Sequence, residues 1–172
     1  MIPENILQYL ERHGVPFERK PHLRAITAQA LASSLHVSGF QVAKSVILQA
    51  DDALLICVVS APDTVNLDRV ASVTGTRNLR LADEAVFASR FPDCEVGAEP
   101  PFGGLYGLPV VVDEHLRDEN LVLFRAGSHT EALELRYEDF MNLEAPYLGN
   151  IIHDRPSQSR EDESAEEAPS PY

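Results

Sequence analysis

The 172-residue chain has no tryptophan, only two cysteines and only two lysines, and no apolar stretch long enough to cross a bilayer. Its longest apolar run, Ala53 to Val59, is seven residues, where a spanning helix needs about 20. The first residues, Met-Ile-Pro-Glu-Asn-Ile, lack the charged and apolar regions of a secretory leader. A soluble, cytoplasmic protein without a membrane partner is therefore expected. Cys57 lies inside a strand-like run and reads as a small core hydrophobe, while Cys94 follows Pro92-Asp93 in a loop. The two have no CxxC spacing and no accompanying histidine cluster, so neither a disulfide nor a metal site is expected. G-x-S-x-G, Walker and HExxH patterns are also missing.

Positive charge is scarce as well. Fourteen Lys and Arg face 27 Asp and Glu, a formal net charge of −13 with a pI near 4.7. That balance excludes broad binding along a phosphate backbone, DNA included, because such binding needs clustered cations. It leaves room for a small, specific contact. Arg12, Arg19, Lys20 and Arg24 gather near the N-terminus, and Arg77 and Arg80 form a second group.

What is present is a core. Hydrophobic residues make up 44% of the chain, enough for one domain over residues 1–152. From His153 the composition changes. Asp154 to Tyr172 holds six acids and two arginines and almost nothing apolar, so 153–172 reads as a disordered acidic tail. Residues 3–13 read as an amphipathic helix stopped by Gly14, and Val15 to Glu18 as a short strand. Thr27 is placed to cap a helix over Ala28 to Leu35. Val42 to Leu48 and Ala53 to Ser60 form a hairpin about Asp51-Asp52. Asn66 to Thr74 reads as a helix ending at Gly75, and Asp83 caps another over Glu84 to Phe91. After a Gly/Pro-rich segment, Asp93 to Pro109, come strands over 110–113, 120–126 and 132–136, then a closing helix over 137–143. Helices mixed with hairpin-type strands, without a βαβ rhythm, indicate an α+β fold.

Three features carry candidate chemistry. Lys44 lies within Gln41-Val-Ala-Lys-Ser-Val-Ile-Leu48, where alternation puts Val42, Lys44, Val46 and Leu48 on one face. An ammonium among apolar neighbours either snorkels to water or needs a partner, a polar cavity or a lowered pKa. The second feature is Gly97-Ala-Glu-Pro-Pro-Phe-Gly-Gly104, whose glycines and prolines suit either a tight surface turn or a rigid nest of backbone donors for an oxyanion. The third is Ala126-Gly-Ser-His-Thr130, where His129 is a candidate base or orienting donor, with Ser128 or Thr130 beside it, or simply a turn residue. Asp113 reads as a strand-terminal or capping residue. Cys94 has no activating partner that would make it a nucleophile.

The order of these pieces resembles the YbaK/ProX family, freestanding relatives of the editing domain inserted in bacterial prolyl-tRNA synthetases. The likeness rests on the Thr-Ala helix, Val42-Ala-Lys-Ser-Val-Ile-Leu48, Leu79-Arg-Leu-Ala82, Gly97 to Gly103 with its GxxxP spacing, Val110-Val-Val-Asp113, Ala126-Gly127 and Leu133-Glu-Leu135. It spans residues 20–143. The resemblance implies a twisted, mainly antiparallel, barrel-like sheet flanked by helices, and hydrolysis of the ester joining a wrong, small amino acid to tRNA. It implies catalytic roles for Lys44 and for the Gly97 and Ala98 amides, and a substrate site including Ser45, Pro101, Phe102, Gly103, Ser128 and His129. No metal or cofactor is implied. The implied partners are a mischarged tRNA 3′ end, prolyl-tRNA first, and an aminoacyl-tRNA synthetase, with a monomer as the default. Asp93-Cys94 replaces the Gly-Tyr pair of many relatives, and Glu99 puts an acid beside a phosphate-accepting site. A noncatalytic binding or regulatory module of the same fold is the alternative, and a hydrolase of another small activated ester is a third reading.

Overall fold

The computed structural model describes residues 1–156. Local signals set most elements. Pro3 precedes α1 (Glu4–Arg12), whose Ile6, Tyr9 and Leu10 are buried. Strand β1 (Glu18–Pro21) follows. The Thr27 side chain accepts from Ala30 N at 3.0 Å and starts α2 (Ala28–Ser34). The hairpin is β2 (Val42–Ala50) and β3 (Ala53–Ser60), paired antiparallel along their length with Lys44 opposite Val59. Asn66 caps α3 (Leu67–Thr74), and Gly75 ends it at φ +71°. After β4 (Leu79–Leu81) come the single turn α4 (Glu84–Phe87) and a 3₁₀ turn, in place of one continuous helix to Phe91.

The Gly/Pro segment contains a further turn, α5 (Gly103–Tyr106). Strands β5 (Val110–Asp113), β6 (Leu121–Arg125) and β7 (Glu131–Arg136) lead into α6 (Tyr137–Glu144) and β8 (Tyr147–Gly149). Asp113 acts as a cap: it is fully buried and accepts from His115 N and Ile151 N.

The strand order is β1-β7-β6-β2-β3-β5-β8, with β4 also on β2. Helix and sheet are mixed as the α+β reading requires, but the sheet differs from the barrel-like, mainly antiparallel form expected. The pairs β1/β7, β2/β3, β2/β4 and β6/β7 are antiparallel, whereas β2/β6, β3/β5 and β5/β8 are parallel. The terminal strands β1 and β8 do not pair with each other, so the sheet is open. The reason is connection length: β5, β6 and β8 each reach their neighbour through helices or loops long enough for a parallel crossover, which a tight hairpin cannot provide. Strand β2 is central because its nine residues serve three partners. Val42 and Ala43 pair with β6, Leu48 to Ala50 pair with β4, and the whole opposite edge pairs with β3.

Alternation along β2 divides the core. Ala43 and Ile47 join the larger cluster with α1, Phe102, Phe124 and Phe140. Leu48 joins Cys57, Val59, Val70 and Ile151 under α3, and Val42 packs with Leu31 of α2. Cys57 is the core hydrophobe expected, with burial pushing its thiol up to about 12. The tail boundary expected at 153 falls among residues bonded to the domain. His153 N donates to Thr64 O, and Arg155 grips Asp63 at 3.0 and 2.8 Å. The rest of that expected tail, 157–172, lies outside the described residues.

Candidate functional site

Lys44 is half-buried, and its Nζ donates to the Ala61 carbonyl at 3.0 Å. The turn that offers this acceptor follows β3 directly, and Ala61 N returns a bond to Val42 O at 2.8 Å. Desolvation lowers the Lys44 pKa, and the nearby Asp63 carboxylate counteracts it. Asp63 is itself 5% exposed and held by Arg155 in a two-pronged pair. An ammonium has three protons, so two remain for a ligand.

The Gly97 loop is laid against the β6–β7 turn by a set of backbone bonds. Glu95 N donates to Gly127 O at 3.0 Å, Gly127 N to Ala98 O at 2.7 Å, and Ala98 N to Glu95 O at 3.0 Å. The Glu95 carboxylate accepts from His129 N at 2.6 Å, which holds its pKa below the usual value. Gly97 sits at φ +86°, a conformation that favours glycine. Arg125, at the end of β6, fastens the loop from behind: its Nη1 donates to the carbonyls of Ile26 and Gly97, the latter at 3.1 Å. Nη1 also lies 3.3 Å from His129 Nδ1. A guanidinium only donates, so Nδ1 accepts, and His129 Nε2 carries the hydrogen bonded to Val96 O at 2.8 Å.

Lys44, Ser45, Gly97, Glu99 and Arg125 line one cleft of about 200 Å³, closed on one side by Ile26 and Ala28 at the start of α2. A wider cleft of about 530 Å³ opens on the other flank of Lys44, bounded by Val46, Thr64, Asn66 and His153. The smaller cleft carries the convergent polar groups and is the better candidate for chemistry; Lys44 belongs to both.

The expected site therefore divides. Lys44, Ser45 and Gly97 come together. The proposed oxyanion donors do not present free N–H groups: Gly97 N donates to Glu99 Oε1 at 3.0 Å, and Ala98 N, fully buried, to Glu95 O. Pro101 and Phe102 are core residues, and Phe102 stacks near Tyr9, Phe124 and Phe140. A Cβ on Gly103 would stand 2.2 Å from Leu108 O, so this glycine serves a close backbone approach, not a ligand. Ser128 and His129 are 1% and 3% exposed; the Ser128 hydroxyl accepts from the Met1 ammonium and from Thr130 N, and His129 supports the loop from behind through Glu95 and Val96. With both ring nitrogens engaged, His129 orients Arg125 and is not a free base.

Arg125 escaped sequence reasoning, and Glu99, expected only as an acid beside the site, lines the cleft. Arg125 ends the apolar strand Leu121-Val-Leu-Phe124, a misfit of the same kind that singled out Lys44. Burial lowers its pKa, Glu99 counteracts this, and its Nη2 is buried without a partner. Glu99 is 8% exposed and belongs to the cleft itself. Cys94 lies 3.5 Å from the Tyr106 hydroxyl, and burial pushes its thiol up to about 11, which removes it as a nucleophile near neutral pH. Among the described residues, no group of three or more His, Cys, Asp and Glu side chains is placed to share a metal ion, and no helix is long and apolar enough to cross a membrane.

The sequence matches the profile of the aminoacyl-tRNA editing domain over residues 22–143. The chain belongs to the aminoacyl-tRNA editing domain family. The match covers β2 with Lys44, the Gly97 loop and the β6–β7 turn, so the whole cleft lies inside the editing domain. No curated protein matches the sequence significantly. Solved structures share the editing-domain fold at low identity. The hypothetical protein APE2540 is 17% identical with a TM-score of 0.78, over 87% of this chain and 99% of its own. A proposed trans-editing enzyme for prolyl-tRNA synthetase is 20% identical with a TM-score of 0.73, over 88% and 96%. A proposed signal transduction protein from Marinobacter aquaeolei VT8 is 20% identical with a TM-score of 0.70, over 90% of this chain but 31% of its own.

Proposed function

We propose that this editing domain acts in trans as a hydrolase, cleaving the ester of a mischarged aminoacyl-tRNA that carries a small amino acid. The observation that carries the reading is the position of Lys44 between the two clefts. The 200 Å³ cleft suits a small aminoacyl group, and the 530 Å³ cleft has room for part of the terminal nucleotide. The ammonium then stands beside the ester between them, where it offsets the negative charge that develops on the carbonyl oxygen. Arg125, buried in the smaller cleft, adds a second positive charge there. Water adds to the carbonyl carbon, the bond to the ribose oxygen breaks, and that oxygen leaves as the tRNA hydroxyl with a proton from water. An aminoacyl ester is already activated, so positioning and charge stabilisation are the main requirements.

The loop amides have a different role from the one the sequence suggested. Gly97 N holds Glu99, and Ala98 N closes the loop turn. That prior engagement also favours a second reading, a noncatalytic module that binds an amino acid, a synthetase or another protein. Deacylation of alanyl-, cysteinyl- and seryl-tRNA, with and without prolyl-tRNA synthetase, separates the two. We expect turnover on at least one substrate and a loss of at least about 100-fold in Lys44→Ala with the fold retained, the scale of removing one transition-state donor. Absence of turnover across the panel, together with specific capture of a synthetase, would establish the binding module instead.

A further inference from the structure

We propose that Glu99 is the receptor for the substrate's α-ammonium group, which restricts the cleft to aminoacyl esters with a free amine. The proposal rests on the deacylase reading and names its substrate class. Glu99 is 8% exposed and lines the same 200 Å³ cleft as Lys44. A carboxylate withdrawn from water needs a cation or a full set of donors. Its Oε1 takes the Gly97 N–H at 3.0 Å, and among the described residues it makes no other hydrogen bond and no ion pair. Arg125, in the same cleft, is near enough to feel the charge of Glu99, but among the described residues the two form no ion pair: its Nη1 is tied to Ile26 O, Gly97 O and His129 Nδ1, and its Nη2 is buried without a partner. Glu99 Oε2 therefore remains for a ligand cation.

The cleft is polarised, with a carboxylate on one wall and the Lys44 ammonium on another. An aminoacyl-tRNA end has the complementary polarity, an α-ammonium on one side of the ester and a phosphodiester on the other. Blocking the amine removes the ligand cation and leaves the Glu99 carboxylate with the Gly97 N–H alone, so an N-acylated or peptidyl ester is rejected. Gly97 N fixes the carboxylate in position, which explains why this amide is engaged before any substrate arrives.

Isothermal titration with 3′-deoxy-3′-(L-alanylamino)adenosine and its N-acetyl derivative tests the proposal. Both are stable amides, so binding is read without turnover. Wild type is expected to bind the free amine at least about tenfold more tightly, the scale of one charge-assisted hydrogen bond. Glu99→Gln keeps the size and the bond to Gly97 N but removes the charge, and should bring the ratio to about one with an unchanged melting temperature. A purely structural Glu99 would leave the ratio unmoved in the variant. Equal binding of the two compounds by wild type, a ratio preserved in Glu99→Gln, or no binding of either overturns the proposal. Deacylation of the alanyl-, cysteinyl- and seryl-tRNA panel measured alongside separates the two claims: turnover with equal binding overturns the ammonium receptor alone, and a tenfold preference without turnover on any of the three overturns the reaction alone.

Discussion

The proton on Lys44 is held less tightly than on a solvent-exposed lysine, because burial outweighs the attraction of Asp63. For a base with a depressed folded pKa, the cation is present below that pKa and lost as pH rises through it. Background-corrected deacylation should therefore fall on an alkaline limb that starts below the ordinary lysine range, near 10.4. Asp63→Asn removes the attraction that raises the Lys44 pKa, so the limb should move to lower pH; a limb unchanged by this variant would show that another group titrates. Folding has the complementary dependence. Between the folded and unfolded pKa values the unfolded chain binds more protons, so stability rises with pH across that window. Lys44→Met, which eliminates the buried charge, should keep or raise the melting temperature while abolishing turnover, as seen in paired thermal melts and kinetics. Lys44 was legible in the sequence because one polar residue interrupted an apolar alternation. Arg125 broke the pattern in the same way, but at a strand end, where a charge usually meets water. The Gly97 loop, the Ile26 carbonyl and His129, all distant from it or unsuspected in the strand pattern, close around it.

Elements with a strong local signal were readable along the chain. Thr27, Asn66 and Gly75 marked the ends of α2 and α3, and Asp51-Asp52 marked the hairpin, because capping and turn formation depend on residues within a few positions. Thr27→Ala should cost about 1 kcal/mol in chemical denaturation, the usual loss for an N-cap. Elements without such signals were missed: α5 is a single turn among glycines, β8 has three residues, and the parallel pairings depend on contacts distant in sequence. The same distance explains the misreading of Pro101, Phe102 and Gly103. A Gly/Pro loop looks exposed in one dimension, yet Phe102 has no exposed surface and meets aromatic rings from α1, β6 and α6. Phe102→Ala should destabilise the fold by about 3–5 kcal/mol, measured by denaturant titration, with any loss of activity following the loss of folded protein.

At the scale of the whole molecule, a net charge of −13 limits how the protein meets RNA. Contact confined to the charged wall of the two clefts involves one or two phosphates, so tRNA affinity should fall less than about tenfold between 50 and 200 mM salt. A steeper fall in a binding titration would reveal a wider basic surface. Composition put the start of the tail at His153, yet Arg155 is anchored on Asp63 beside the lysine. That anchor makes the choice of where to cut the chain a chemical choice. A version trimmed at residue 152 would keep every strand and helix described, yet it would strip Asp63 of its guanidinium and leave a buried carboxylate whose nearest remaining counter-charge is Lys44. The ammonium would be drawn toward Asp63 and hold its proton more tightly, so a truncation made only for solubility would alter the group on which turnover depends.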